Sequence, residues 1–138
     1  QMEKAYPDRV RAAVRFDARL ARRMYAGGDV ILMPSRYEPC GMAQMIAMRY
    51  GCIPLARATG GLKDTIRDTA DPATATGFLF EKASVPALTA ALQRAQKAYA
   101  DPAHWQAMQR NGMSLDFSWN RSARDYLSLY QKLVESPS

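Results

Sequence analysis

The residues best suited to chemistry lie in one short stretch, Pro34-Ser35-Arg36-Tyr37-Glu38-Pro39-Cys40-Gly41-Met42. Before it runs Val30-Ile31-Leu32-Met33, continuously apolar and of strand length, which suits a parallel strand buried on both faces. After it, Gly41 to Tyr50 reads as a helix that ends at Gly51. Ligands of an open parallel sheet bind beyond the carboxyl ends of its strands, where such a junction lies. The first N–H groups of the following helix lack intrahelical partners and sit at the positive end of its dipole. The backbone of Cys40, Gly41 and Met42 could therefore hold an anion such as a diphosphate, with Gly41 allowing close approach. Glu38 stands just before that seat. A carboxylate is a poor neighbour for phosphate but accepts hydrogen bonds from sugar hydroxyls well. On spacing alone, Glu38 is equally an ordinary exposed loop acid.

A second junction, Thr59-Gly60-Gly61-Leu62, follows another apolar run, Cys52-Ile53-Pro54-Leu55-Ala56. Paired glycines permit close backbone approach, but such turns are common and specify little alone. Other candidates fall away. His104 is the sole histidine, has no acid or nucleophile patterned with it, and reads as a helix surface residue. Cys40 and Cys52 lack metal-ligand spacing, so no metal site is expected. Met42, Met45 and Met48 fit the packing of a buried helix better than contact with a cofactor.

The elements that must position these residues alternate along the chain. Val10 to Phe16 is a plausible strand, and Asp17 caps a helix through Leu20, Met24 and Tyr25 that stops at Gly27-Gly28. Strands are expected near 10–16, 30–33, 53–56 and 77–80. Short helical stretches follow Gly41 and Gly60. Ser84 caps a longer helix with Pro86 in its first turn, and Asp101-Pro102 opens one through Trp105 and Met108 to Gly112. Ser118 caps a last helix whose Trp119, Ala123, Tyr126, Leu127, Tyr130 and Leu133 form one apolar stripe. The only linker-like stretch is the terminal Ser136-Pro137-Ser138. The pattern predicts an α/β fold, a Rossmann-like parallel sheet with helices on both faces, in one domain spanning residues 1–138.

Composition agrees with a packed core. Hydrophobic residues make up 48% and charged residues 23% of 138 residues, which excludes wholesale disorder. No apolar run reaches the ~18 residues of a spanning helix, so no membrane partner is expected, and nothing at the start reads as a signal peptide. Two cysteines are too few for a disulfide framework, which favours a reducing, cytosolic-type compartment. The net charge is +6, and its excess lies in residues 1–70. A basic half favours an anionic ligand, although a solvated basic face explains the same count. The scattered arginines, with no dense run and no interleaved aromatics, argue against nucleic acid.

The run from Ala26 to Gly41 (Ala-Gly-Gly-Asp-Val-Ile-Leu-Met-Pro-Ser-Arg-Tyr-Glu-Pro-Cys-Gly) resembles the signature of bacterial glycogen synthases and plant starch synthases. The likeness continues at Ala47-Met48-Arg49-Tyr50-Gly51, Thr59-Gly60-Gly61-Leu62-Lys63-Asp64-Thr65, Thr76-Gly77-Phe78-Leu79-Phe80, Asn111-Gly112-Met113 and Asp116-Phe117-Ser118-Trp119. It closes at Ser122-Ala123 and Tyr126-Leu127-Ser128-Leu129-Tyr130. It thus covers nearly the whole chain, in order.

The resemblance implies a retaining glucosyltransferase of the two-lobed GT-B architecture, taking glucose from ADP-glucose to the non-reducing end of an α-1,4-glucan. It needs no metal or other cofactor and acts in the cytoplasm, or in a plastid if the relative is a plant enzyme. On this reading the chain is the later part of the nucleotide-sugar-binding carboxyl-terminal lobe. The amino-terminal lobe and the first strand–helix–strand unit lie elsewhere, so the chain alone is expected to be inactive and prone to self-association. By resemblance, Glu38 contacts the donor glucose and supports a positively charged transition state. The backbone of Cys40, Gly41 and Met42 cradles the diphosphate and glucosyl group, and Thr59 and Gly60 contribute to the substrate seat. Phe16 falls where the synthases usually carry an adenine-stacking Tyr; the ring face is kept and the hydroxyl lost. Arg15 stands where a small residue is usual. Ile46 replaces a second Glu that many GT-B relatives carry, which fits the synthases better than sucrose-type transferases. The alternatives are a GT-B lobe using another nucleotide sugar such as UDP-glucose, and a non-catalytic nucleotide-binding module.

Overall fold

The computed structural model describes residues 1–71 and 73–135; the terminal Ser136-Pro137-Ser138 lies outside them. The described elements are α1 (Met2–Ala5), α2 (Ala18–Gly27), β1 (Val30–Met33), α3 (Ala43–Arg49), β2 (Ile53–Arg57), α4 (Gly60–Thr65), β3 (Phe78–Phe80), α5 (Val85–Tyr99), α6 (Pro102–Ser114) and α7 (Trp119–Glu135). The three strands form one parallel sheet in the order β1-β2-β3. Val30 lies beside Ile53, and Leu55 beside Phe78.

Side-chain alternation explains both layers. Ile53 and Leu55 point to the same face as Phe78 and Phe80, and this face is closed by Ala91, Ala95 and Ala98 of α5 with Trp105 and Met108 of α6. Small alanines let α5 lie close on the strands, and the indole of Trp105 fills the remaining depth, stacked on Phe78 at 6.5 Å between centroids. On the opposite face Ala56 packs under Leu62 and Ile66 of α4, with Met33 and Leu79 alongside. The central strand β2 is therefore buried on both faces, whereas β1, also a continuous apolar run and expected to be buried on both faces, is an edge strand with Val30 and Leu32 exposed.

Helix starts follow the expected chemistry. Asp17 accepts the Leu20 amide at 2.9 Å, Ser84 Oγ accepts that of Ala87 at 3.4 Å, and Asp101 accepts those of Ala103 and His104, both at 3.1 Å. At α7 the contacts differ from the expected Ser118 side-chain cap: Asp116 Oδ1 accepts the Ser118 amide at 2.9 Å, and the Ser118 carbonyl receives the Arg121 amide at 3.2 Å.

Three further expectations are corrected. Residues 10–16 are not a strand: the segment is irregular, with Val14 and Phe16 each 98% exposed. A strand exists only by pairing, and among the described residues this segment pairs with none of the three strands, leaving the outer edge of β1 open. The helix expected from Gly41 begins instead at Ala43, because Gly41 takes φ 68°, outside the helical region. Of the three methionines expected to pack α3, Met48 is buried and Met42 is 69% exposed. Among the described residues no helix is long and apolar enough to cross a membrane.

Candidate functional site

Sequence places the two strand-to-helix junctions about twenty residues apart; the fold makes them one site. β1 and β2 are parallel neighbours, so their carboxyl ends, and the loops that leave them, emerge side by side. Close approach then depends on the paired glycines. A Cβ at Gly60 would stand 2.0 Å from the Glu38 carbonyl oxygen, and one at Gly61 would stand 1.9 Å from that of Cys40. The 38–40 backbone thus runs directly over Gly60 and Gly61, and the Gly61 amide donates to the Pro39 carbonyl at 3.3 Å. Gly60 also takes φ 44°. The glycine pair, unspecific as a sequence signal, is required here by contact.

Above this crossing, unpaired backbone donors collect. The Ile46 amide bonds the Met42 carbonyl at 3.0 Å, which leaves the amides of Ala43, Gln44 and Met45 without a backbone partner among the described residues. They lie at the positive end of a short helix dipole. Gly41 and Cys40 lead directly into them, with Cys40 exposed and unpaired as a thiol. Glu38 is half-buried and Thr59 is half-buried, while Gly60 is open to solvent. The structure brings Glu38, Cys40, Gly41, Met42, Thr59 and Gly60 together. Phe16 stands apart: it lies just ahead of α2, almost fully exposed.

Three residues that sequence reasoning missed hold the loops in place. Arg57, at the end of β2, donates from Nε to the Ser35 carbonyl at 2.7 Å and from Nη2 to the Arg36 carbonyl, fixing the start of the loop after β1. In sequence it counted only toward the basic surplus. Gln44, completely buried, donates from Nε2 to the carbonyls of Cys40 (3.2 Å) and Gly41 (3.0 Å) and to Thr65 Oγ1 (3.2 Å). Thr65 Oγ1 in turn donates to the Gly61 carbonyl at 2.5 Å. A polar residue at a helical position whose neighbours are apolar was the available signal for Gln44.

A cleft of about 480 Å³ opens beside the loops, between Met42 and Thr65 on one side and Asp116, Trp119 and Arg121 on the other. Asp116 lies well exposed at its rim, and hydrogen bonds first from the Ser118 side chain and then from its backbone hold the carboxyl below its ordinary value. Burial, followed by the charge of Asp29, pushes the Cys52 thiol up, so this sulfur is an apolar filler and no nucleophile.

Loops that cross at the carboxyl ends of a parallel sheet suit a transferase fold, and the chain belongs to the glycosyl transferases group 1 family, whose pattern matches residues 7–112. Within that family it is similar to glycogen and starch synthases. It is 50% identical over 136 residues to the glycogen synthase of Syntrophotalea carbinolica, covering 98% of this chain and 28% of that protein. The catalytic domain of starch synthase IV from Arabidopsis thaliana, solved bound to ADP and acarbose, superposes with a TM-score of 0.84 at 39% identity, over 98% of this chain and 29% of that one. Sucrose-phosphate synthase from Thermosynechococcus elongatus gives a TM-score of 0.67 at 30% identity, over 99% of this chain and 33% of that one. The chain therefore spans less than a third of the length of each of these relatives.

Proposed function

We propose that these 138 residues form the later part of the nucleotide-sugar-binding lobe of a glycogen or starch synthase. That enzyme would transfer glucose from ADP-glucose to the non-reducing end of an α-1,4-glucan with retention of configuration. The observation that carries this reading is the crossing of the Glu38–Met42 loop over Gly60 and Gly61 at the ends of two parallel strands. It gathers backbone donors for a diphosphate and a carboxylate for the attached sugar in one place.

The roles follow from the chemistry of each group. The amides from Gly41 into α3 receive diphosphate oxygens, offering hydrogen bonds and the positive helix end to the charge that grows as the sugar leaves. Glu38 accepts hydrogen bonds from glucose hydroxyls and steadies positive charge at the anomeric carbon. Gly60 and Thr59 form the opposite wall. Phe16 offers a ring face for adenine; it lies outside the loop crossing, so in this reading the rest of a longer protein brings it over the nucleotide. Two observations favour the adenine nucleotide over UDP-glucose: Ile46 in place of a second carboxylate, and the greater likeness to a starch synthase solved with ADP than to sucrose-phosphate synthase. A cytoplasmic setting accompanies this assignment.

The test is turnover by the full-length protein with ADP-glucose and with UDP-glucose on an α-1,4-glucan primer, the new linkage being read by NMR. Transfer from ADP-glucose in preference, with a new α-1,4 bond, is expected. Preference for UDP-glucose would move the protein to the second reading, a GT-B transferase using another donor. No transfer from either would overturn both.

A further inference from the structure

We infer that Gln44 and Thr65 are a positioning pair that aims the anion-binding amides of the Cys40–Met42 loop and fixes that loop's distance from the Gly60–Gly61 turn. The inference rests on the proposed nucleotide-sugar reading of the same site.

Gln44 is fully buried, yet its neighbours on the inner side of α3, Ala47 and Met48, are apolar, and an apolar side chain would fill its place without hiding polar atoms. Its Oε1 is buried without a partner, so the carboxamide is not there for a balanced network of its own. What it does make is specific. Nε2 holds the carbonyls of Cys40 and Gly41, which precede its own helix, and reaches Thr65 Oγ1 on α4. Thr65 passes the connection to the Gly61 carbonyl. One side chain thus links the loop after β1 to the turn after β2.

Peptide geometry gives this link a directional consequence. A trans peptide is planar, with its N–H opposed to its C=O. Drawing the Cys40 and Gly41 carbonyls inward onto Gln44 turns the N–H groups of Gly41 and Met42 the other way, away from the core. Gly41 allows this turn through its φ of 68°, and a Cβ there would stand 2.7 Å from Gln44 Oε1. Gln44 therefore touches no substrate and acts through the backbone it holds.

The experiment uses Gln44→Met, which keeps length and removes the donors, together with Thr65→Val and its conservative partner Thr65→Ser. Asp101→Ala serves as a destabilised control, because it strips the cap of α6 at the far end of the sheet. In the full-length protein, Gln44→Met and Thr65→Val should speed exchange of the Gly61 amide by about tenfold while Ile53 and Leu55 stay protected. In the full-length protein, both should lower kcat/KM for ADP-glucose by about tenfold or more. Thr65→Ser and Asp101→Ala should stay within about twofold of wild type. Unchanged Gly61 exchange, loss of protection throughout the chain, or a kcat/KM as sensitive to Asp101→Ala as to Gln44→Met would overturn the pair's role. If wild type turns over no nucleotide sugar, the proposed function fails by itself, and Gly61 exchange still decides whether the pin exists.

Discussion

At the scale of single residues, Glu38 separates the functional account from a structural one. An exposed loop acid contributes little, and its removal would change stability within about 0.5 kcal/mol. A carboxylate facing charge that develops at an anomeric carbon acts only in the transition state. Glu38→Ala in the full-length protein should therefore cut kcat by about 10²-fold, or ~2.7 kcal/mol. ADP affinity should stay level, since a carboxylate adds nothing to diphosphate binding. Glu38→Gln keeps shape and an acceptor oxygen while losing charge; equal kcat for it and wild type would leave Glu38 with hydroxyl positioning alone. Gly61 makes the complementary case. A Cβ 1.9 Å from the Cys40 carbonyl oxygen cannot be absorbed by a side-chain rotation, because its neighbour is backbone. Gly61→Ala should cost about 1–3 kcal/mol in denaturant melts and displace the loop, lowering activity further than stability alone explains. An Ala variant with wild-type midpoint and kcat would contradict the crossing of the two loops.

Elements were legible where their signals are local. Asp17, Ser84 and Asp101 announced helices because a side-chain acceptor two or three residues ahead of free amides acts whatever the rest of the chain does. Val10 to Phe16 misled because strand propensity describes a side chain's fitness for a sheet and says nothing of a neighbouring strand. The two glycine-bearing junctions were each visible in sequence, but their convergence was not. It depends on β1 and β2 being adjacent and parallel, a relation between residues about twenty positions apart. Arg57 stayed hidden for the same reason, since the carbonyls of Ser35 and Arg36 are brought to it by the fold, and so did the contact of Gln44 with the Thr65 hydroxyl; the other bonds of Gln44 and Thr65 are to carbonyls three or four residues back. The start of α7 offers a test by pH. The Asp116 carboxyl is held below its ordinary 3.8 by Ser118, so the contact stabilises at higher pH and is lost as pH falls through the depressed value. Ser118→Ala should return the Asp116 titration, followed by carboxyl carbon shifts, toward the ordinary value. An unmoved midpoint would remove Ser118 as the cause.

At the scale of the whole molecule, the core and the exposed apolar surface point in different directions. β2 is sealed between α5–α6 and α4, whereas α7 contributes no buried residue. Its Trp119 (85% exposed), Leu133 (66%) and Val134 (83%) face solvent with Tyr126, Leu127 and Tyr130. β1 leaves one edge unpaired among the described residues, with Leu32 45% exposed. Apolar surface of this kind seeks cover. The 138-residue chain should therefore self-associate in light scattering as concentration rises, and Leu133→Glu should shift it toward monomer. A clean monomer at every concentration would show that this surface is tolerated in water.

The central claim is that two loops, joined by a glycine crossing, make one seat for a nucleoside diphosphate with Glu38 beside its sugar end. The most direct measurement is a crystal structure of the full-length protein with ADP. Diphosphate oxygens are expected within hydrogen-bond distance of backbone amides between Gly41 and Ala43, with Gly60 against the nucleotide and Glu38 beyond the terminal phosphate. Diphosphate seated elsewhere, such as the cleft formed by Lys97, His104 and Asp68, with the 38–42 amides turned to solvent, would contradict it.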